Sequence, residues 1–154
     1  MTAPEVIYHG FRRKTGGSFI AVETPAGEQV GVVGQLPHHS PTGLGWGYNG
    51  SGAADCARSL LIAALGADAA CRTCIGTVKV VFDPGTGKEL PYEPDKAATY
   101  DPDLIFRCVC GDGYRIGPAL YQAFKFAFVA QWGAEWRMSR ADILAWLATQ
   151  PGGA

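Results

Sequence analysis

The chain has 154 residues, 47% of them apolar, and a formal net charge of −1. That composition suits a folded domain with its own core and excludes a disordered chain. The near-zero charge argues against a broad nucleic-acid surface, which shows as a strong basic excess. The one dense basic run is Arg12-Arg13-Lys14.

Val6 to Arg12 (VIYHGFR), Ser18 to Thr24 (SFIAVET) and Gln29 to Leu36 (QVGVVGQL) read as three strands separated by turns at RKTGG and PAG. They predict an N-terminal antiparallel meander. A glycine-rich stretch, GLGWGYNGSGAAD (Gly43 to Asp55), follows. A first helix is expected from Ser51 to Leu65, stopped by Gly66. Ala57, Leu60, Leu61, Ala64 and Leu65 give it an apolar stripe, with Asp55, Arg58 and Ser59 on the other face. A second helix is expected from Pro118 to about Gln131. It is apolar nearly all round, which predicts full burial or a partner surface. A third begins after Ser139, where Ser139 to Asp142 resembles a capping box. Its core face is Ile143, Leu144 and Leu147, with Trp146 beside it.

Between the first two helices, Ala67 to Ile116 is rich in charge, proline and turn residues. Thr77 to Phe82 and Leu104 to Arg107 read as short strands, and DPGTGKE as a tight turn. The expected fold is therefore α+β: a three-stranded antiparallel sheet, three helices, and a zinc-ribbon-like insertion between helices 1 and 2. The organisation is a single domain over 1–154 with residues 67–116 inserted in it.

The insertion holds four of the five cysteines, as Cys71-x2-Cys74 and Cys108-x-Cys110. Two close pairs on two turns can supply a zinc tetrahedron, and structural zinc is the expected cofactor. Gly76 and Gly111 follow the pairs and suit turns that aim amides at sulfur. The second spacing is one residue short of the usual one, which leaves Asp112 or water as a substitute for Cys108 or Cys110. The other readings are two reduced pairs without metal, or a disulfide formed on oxidation. Cys56 stands apart on the first helix as a small buried residue, with a nucleophilic role as the alternative. The MTAPEV start lacks signal-peptide regions, and no apolar run approaches the roughly 18 residues of a membrane span. A cytosolic, reducing location is the expectation.

A glycine-rich segment feeding a helix N-terminus is a physical anion site. The loop lacks the lysine and register of phosphate-hydrolysing or dinucleotide loops. His39, Ser40, Thr42, Trp46, Tyr48, Asn49, Gly50, Ser51 and Gly52 are the candidate ligand-binding residues. Two readings of Trp46 and Tyr48 stand side by side: they stack on a base or sugar, or they pack on the first helix while the glycines make room. His38 and His39 are site groups on the first reading and exposed loop residues on the second.

His39-Ser40-Pro41-Thr42-Gly43, Trp46-Gly47-Tyr48 and Gly50-Ser51-Gly52, followed by an alanine- and leucine-rich helix, resemble a domain of unknown function found in short bacterial and bacteriophage proteins. Tyr121-Gln122-x-Phe124-Lys125 and the terminal tryptophan-containing helix fit the same family. The chain departs from it at Gly45 and in the long cysteine insertion. The resemblance implies no activity. It implies a phage or mobile-element origin, and small proteins of that kind act by binding, for example against a host defence.

The sequence thus favours binding over catalysis. The first expectation is a protein that holds a phosphate-bearing small molecule, such as a nucleotide or signal nucleotide, at the glycine loop. The alternative is a protein-interaction inhibitor of a host defence or nuclease complex that makes contact through the insertion or the second helix. A zinc-dependent nucleic-acid binder using Arg12, Arg13, Lys14, Lys79 and Arg115 ranks third. An enzyme built on His39, Asp55 or Cys56 ranks last, because no spacing brings them together. A homo-oligomer is compatible with each of these.

Overall fold

Alternation in IYHGFR and SFIAVE places Tyr8 and Gly10 on the same side of a strand pair as Ile20, and His9 and Phe11 on the other side with Phe19. The computed structural model, which describes residues 4–14, 17–34 and 44–151, pairs these segments as β1 (Ile7–Arg12) and β2 (Ser18–Glu23). β3 (Gln29–Val32) adds antiparallel to β2, as the meander reading expects. A fourth strand, β7 (Trp136–Ser139), comes from the far end of the chain and pairs antiparallel with β1, giving the order β3-β2-β1-β7. The sheet therefore has four strands, not three. WRMS is short and flanked by glycine and charge, so its pairing with β1 is set by tertiary contact, not by a local signal.

Gly10 lies opposite Trp136 in that pairing. A Cβ built on Gly10 would fall 2.2 Å from Trp136 Cε2, so the indole rests directly on the glycine backbone. Trp132 stacks on Trp136 at 3.8 Å, and Trp46 meets it edge-on at 5.5 Å. The indole nitrogens of Trp46 and Trp136 have no hydrogen-bond partner among the described residues, so this cluster is held by packing.

Helix α1 (Ser51–Leu65) has the expected bounds, and Gly66 ends it at φ +59°. Its burial is not the expected stripe. Asp55, Arg58 and Ser59 are as buried as Leu60 and Leu61. The helix packs on α2 (Pro118–Ala127), on the 3-10 turn Val129–Gln131 and on α3 (Arg140–Ala148). Full burial goes to α1 rather than to α2. Only Tyr121, Phe124 and Lys125 of α2 are buried, while Phe126 is 54% exposed. Ser139 caps α3 by accepting the Asp142 amide at 3.0 Å, Ile143 and Leu147 face inward, and Trp146 meets Phe124 edge-on.

By compactness the chain divides into two units, residues 1–65 with 116–154, and residues 66–115. The second holds its own antiparallel sheet of β4 (Lys79–Asp83), β5 (Lys88–Pro91) and β6 (Ile105–Arg107), in the order β5-β4-β6. Asp83 shapes the DPGTGKE turn: its carboxylate accepts the Gly85 amide and the Thr86 hydroxyl, and its carbonyl accepts the Gly87 amide. No helix among the described residues is long and apolar enough to cross a membrane.

Gly10→Ala is expected to lower the stability of the four-stranded unit by about 1–3 kcal/mol, since the new methyl and the indole cannot share that space. Gly133→Ala, which meets nothing within 4 Å and lies outside the helices and strands, serves as the control and should stay within about 0.5 kcal/mol of wild type. Denaturant midpoints of the two variants check this, and equal midpoints would contradict it.

Candidate functional site

The two ends of the 66–115 unit run antiparallel and hydrogen-bond to each other. Cys71 N–H donates to Gly113 O at 2.8 Å, Arg115 N–H donates to Ala69 O at 2.9 Å, and Ala70 bridges Tyr114. From this clasp the chain turns twice through cysteine. In the first turn Ile75 N–H reaches Cys71 O and Thr77 N–H reaches Cys74 O. Ile75, Gly76 and Val78 all take positive φ there. In the second, Cys108 N–H donates to Val78 O at 2.8 Å, prolonging the β4–β6 ladder by one residue. Gly111 and Gly113, at φ +85° and +90°, then curl the chain back.

These turns bring four sulfurs together. The Sγ atoms of Cys71, Cys74, Cys108 and Cys110 all lie within 4.8 Å of one another. Cys71 is 3.8 Å from Cys108, and Cys74 is 3.6 Å from Cys110. A metal at a zinc–sulfur distance of about 2.3 Å requires tetrahedral edges of about 3.8 Å, so the spacing fits a four-thiolate site. It is too long for disulfides, and all five cysteines are free thiols. The short Cys-x-Cys spacing works because Cys108 ends the ladder while Cys110 lies on the glycine turn. Asp112 is not needed as a substitute: its carboxylate accepts the Tyr114 amide at 3.2 Å.

Backbone amides reach the sulfurs, as thiolates require. Gly113 N–H points at Cys110 Sγ at 3.3 Å. The Cys74 and Thr73 amides draw the Cys71 thiol down to about 7, against the cost of burial. Burial pushes Cys110 up to about 12. Four thiolates this close repel strongly unless a cation offsets them, and a divalent metal supplies that cation. The cluster can therefore hold a metal ion.

The glycine loop is built differently. Trp46 is wholly buried, its carbonyl accepting Arg12 Nη2 at 3.0 Å and its ring lying beneath the Arg12 guanidinium. A ring so enclosed cannot stack on a ligand, which corrects that reading of Trp46. Gly47, at φ +82°, donates to Val129 O at 2.9 Å, and a Cβ on it would fall 2.9 Å from Trp132 O. The half-exposed ring of Tyr48 folds back over its own loop, so a Cβ on Gly45 or Gly50 would fall within 2.6 Å of it. Asn49 O accepts the buried Lys125 ammonium at 3.1 Å. Ser51 is exposed and Gly52 buried at the start of α1. His38, His39, Ser40 and Thr42 lie outside the described residues.

Residues 8–79 match DUF6166, a family of unknown function. The match runs from β1 through the glycine loop, α1 and the first cysteine pair, and stops before Cys108 and Cys110. No curated protein and no solved structure matches the chain.

Some buried chemistry carries no sequence signal. Lys125 reads as a polar break in an apolar helix until its ammonium is seen to close the glycine loop. His9 lies between Glu23 and Glu135, each at 2.9 Å, with Arg137 beside both carboxylates. That network spans β2, β1 and β7 and needs the β1–β7 pairing to be visible. Cys56 is fully buried, and burial next to Asp55 holds its thiol far above the usual range, which opposes a nucleophilic role.

Gly113→Ala is expected to loosen the cysteine cluster. The position needs φ +90°, and a Cβ would fall 2.9 Å from Gly76 O, forcing the two turns apart. Metal release to a chromophoric chelator should be faster than from wild type, and an unchanged rate would contradict the close-approach argument.

Proposed function

We propose that the protein is a binding protein in which a zinc ion on Cys71, Cys74, Cys108 and Cys110 holds the 66–115 unit in shape, and that this unit contacts a partner protein. The observation that carries the reading is the four-sulfur cluster at tetrahedral spacing. Four protein ligands close a zinc coordination sphere and leave no open position for a substrate, which favours a structural over a catalytic ion. Zinc on such sites contributes on the order of 10–16 kcal/mol to small domains that lack other cores.

The surface of the same unit supports the contact role. Among the described residues, Ile75, Leu90, Phe106 and Val109 are half of the exposed large apolar side chains, yet they come from about a third of the chain. Exposed apolar groups gathered in one small unit mark interaction surfaces. A phosphate-bearing ligand at the glycine loop is less well supported, because Trp46 is buried, and Gly45, Gly47 and Gly50 are fitted to the Tyr48 ring and the Trp132 carbonyl. Nucleic-acid binding is weaker still. Arg12 is engaged by Trp46, Lys79 lies over Tyr92, and Arg115 donates to Asp68 O.

The purified chain should retain a single zinc ion. Chelation should raise amide hydrogen exchange across residues 66–115 while leaving 17–34 and 118–148 protected, and Cys74→Ser should do the same without chelator. Capture of the partner from a lysate of the native host should require the zinc-loaded form. A chain whose exchange pattern is indifferent to chelation would overturn the structural-zinc reading, and equal capture by Cys74→Ser would overturn the contact role.

A further inference from the structure

We infer that a groove on the 66–115 unit, walled by Ile75, Leu90, Tyr92 and Tyr100, binds a protein segment that presents an apolar side chain flanked by lysine or arginine. The inference rests on the reading that the zinc-held unit makes the contact, and it names the surface and the chemistry of the partner.

The groove has a volume of about 660 Å³ and lies wholly within residues 75–100, with Val81 and Thr77 also in its lining. That is room for large side chains, in the range of pockets that bury a ligand, roughly 300–1,000 Å³. Its walls are fixed in place. The Tyr92 and Tyr100 rings meet at 5.5 Å, and the Tyr100 hydroxyl accepts the Glu93 amide at 3.3 Å. Ile75 is the most informative wall residue. It is 63% exposed and stands at φ +52°, a conformation that a β-branched side chain resists. An isoleucine there gains little core contact and strains the turn, so folding does not account for it. An apolar contact with a partner does.

Charge specifies the rest. Residues 89–103 carry five carboxylates and a single lysine, and that lysine, Lys96, is tied to Glu93 at 2.7 Å. Glu93, Asp95 and Lys96 line the groove itself, two carboxylates to one ammonium. Carboxylates beside an apolar wall attract a cationic segment and repel phosphate, nucleic acid and acidic peptides. Lys79 already lies 5.2 Å over the Tyr92 ring, so an aromatic wall here accepts a cation on its face.

The test uses the full zinc-loaded chain and a yeast-displayed library of random peptides. The expected outcome is enrichment of sequences with a large apolar residue between lysines or arginines. Synthetic copies of these should lose affinity roughly tenfold or more in Ile75→Ser, Leu90→Ser and the charge-reversing Asp95→Lys. Retained zinc shows that each variant is folded, and Asp95, being exposed, can be reversed without touching the core. Enrichment of neutral or acidic peptides, no enrichment, or full binding by all three variants would overturn the inference. Peptides that need the zinc-loaded chain but ignore the groove variants sink this inference alone. Peptides that bind equally well to zinc-free Cys74→Ser sink the zinc-held reading beneath it.

Discussion

The 66–115 unit has almost nothing apolar to fold around, and the four thiols fill that gap. Its buried apolar side chains are Ala69, Val80, Val81 and three cysteines, with Cys110 packed against them. A segment of that size with so small a core requires a staple of some kind. The sulfurs lie where the clasp at Ala69–Cys71 and Gly113–Arg115 meets the ends of β4 and β6. A metal bound at that point would tie both cysteine turns to the sheet. The groove wall at Ile75 directly follows Cys74, so a metal held by the cluster would also fix the surface proposed to meet a partner.

The other unit meets a different constraint, the fit of aromatic rings against bare backbone. Gly10 admits the Trp136 indole, Gly47 admits the Trp132 carbonyl, and Gly45 and Gly50 admit the Tyr48 ring. Gly45, Gly47 and Gly50 are thus each matched to a named ring or carbonyl. Lys125 closes the arrangement from α2 through the Asn49 carbonyl. Pairing of β7 with β1 delivers Trp136 to Gly10, so this packing depends on a contact between opposite ends of the chain.

Much of this was legible in the sequence, and the failures have physical causes. α1 and the capped start of α3 carry local signals: Gly66 at positive φ, and Ser139 accepting the Asp142 amide. The cysteine pairs announce a cluster by spacing alone. β7 has no local signal and exists through its partner β1. The polar residues of α1 mislead because periodicity sets Asp55, Arg58 and Ser59 on the face away from the apolar stripe, whereas that face is buried too. Of the two readings of α2, full burial fails: Tyr121, Phe124 and Lys125 are buried while Phe126 stays exposed. The aromatic loop was readable as either stacking platform or packing. Only the zero exposure of Trp46 decides for packing.

X-ray absorption at the zinc edge of the purified chain tests the central claim most directly. Four sulfur neighbours at about 2.3 Å are the predicted shell, with Cys110→Ser reducing the sulfur count by one. A shell dominated by nitrogen or oxygen, or a chain that takes up no metal, would contradict the account of how residues 66–115 are held.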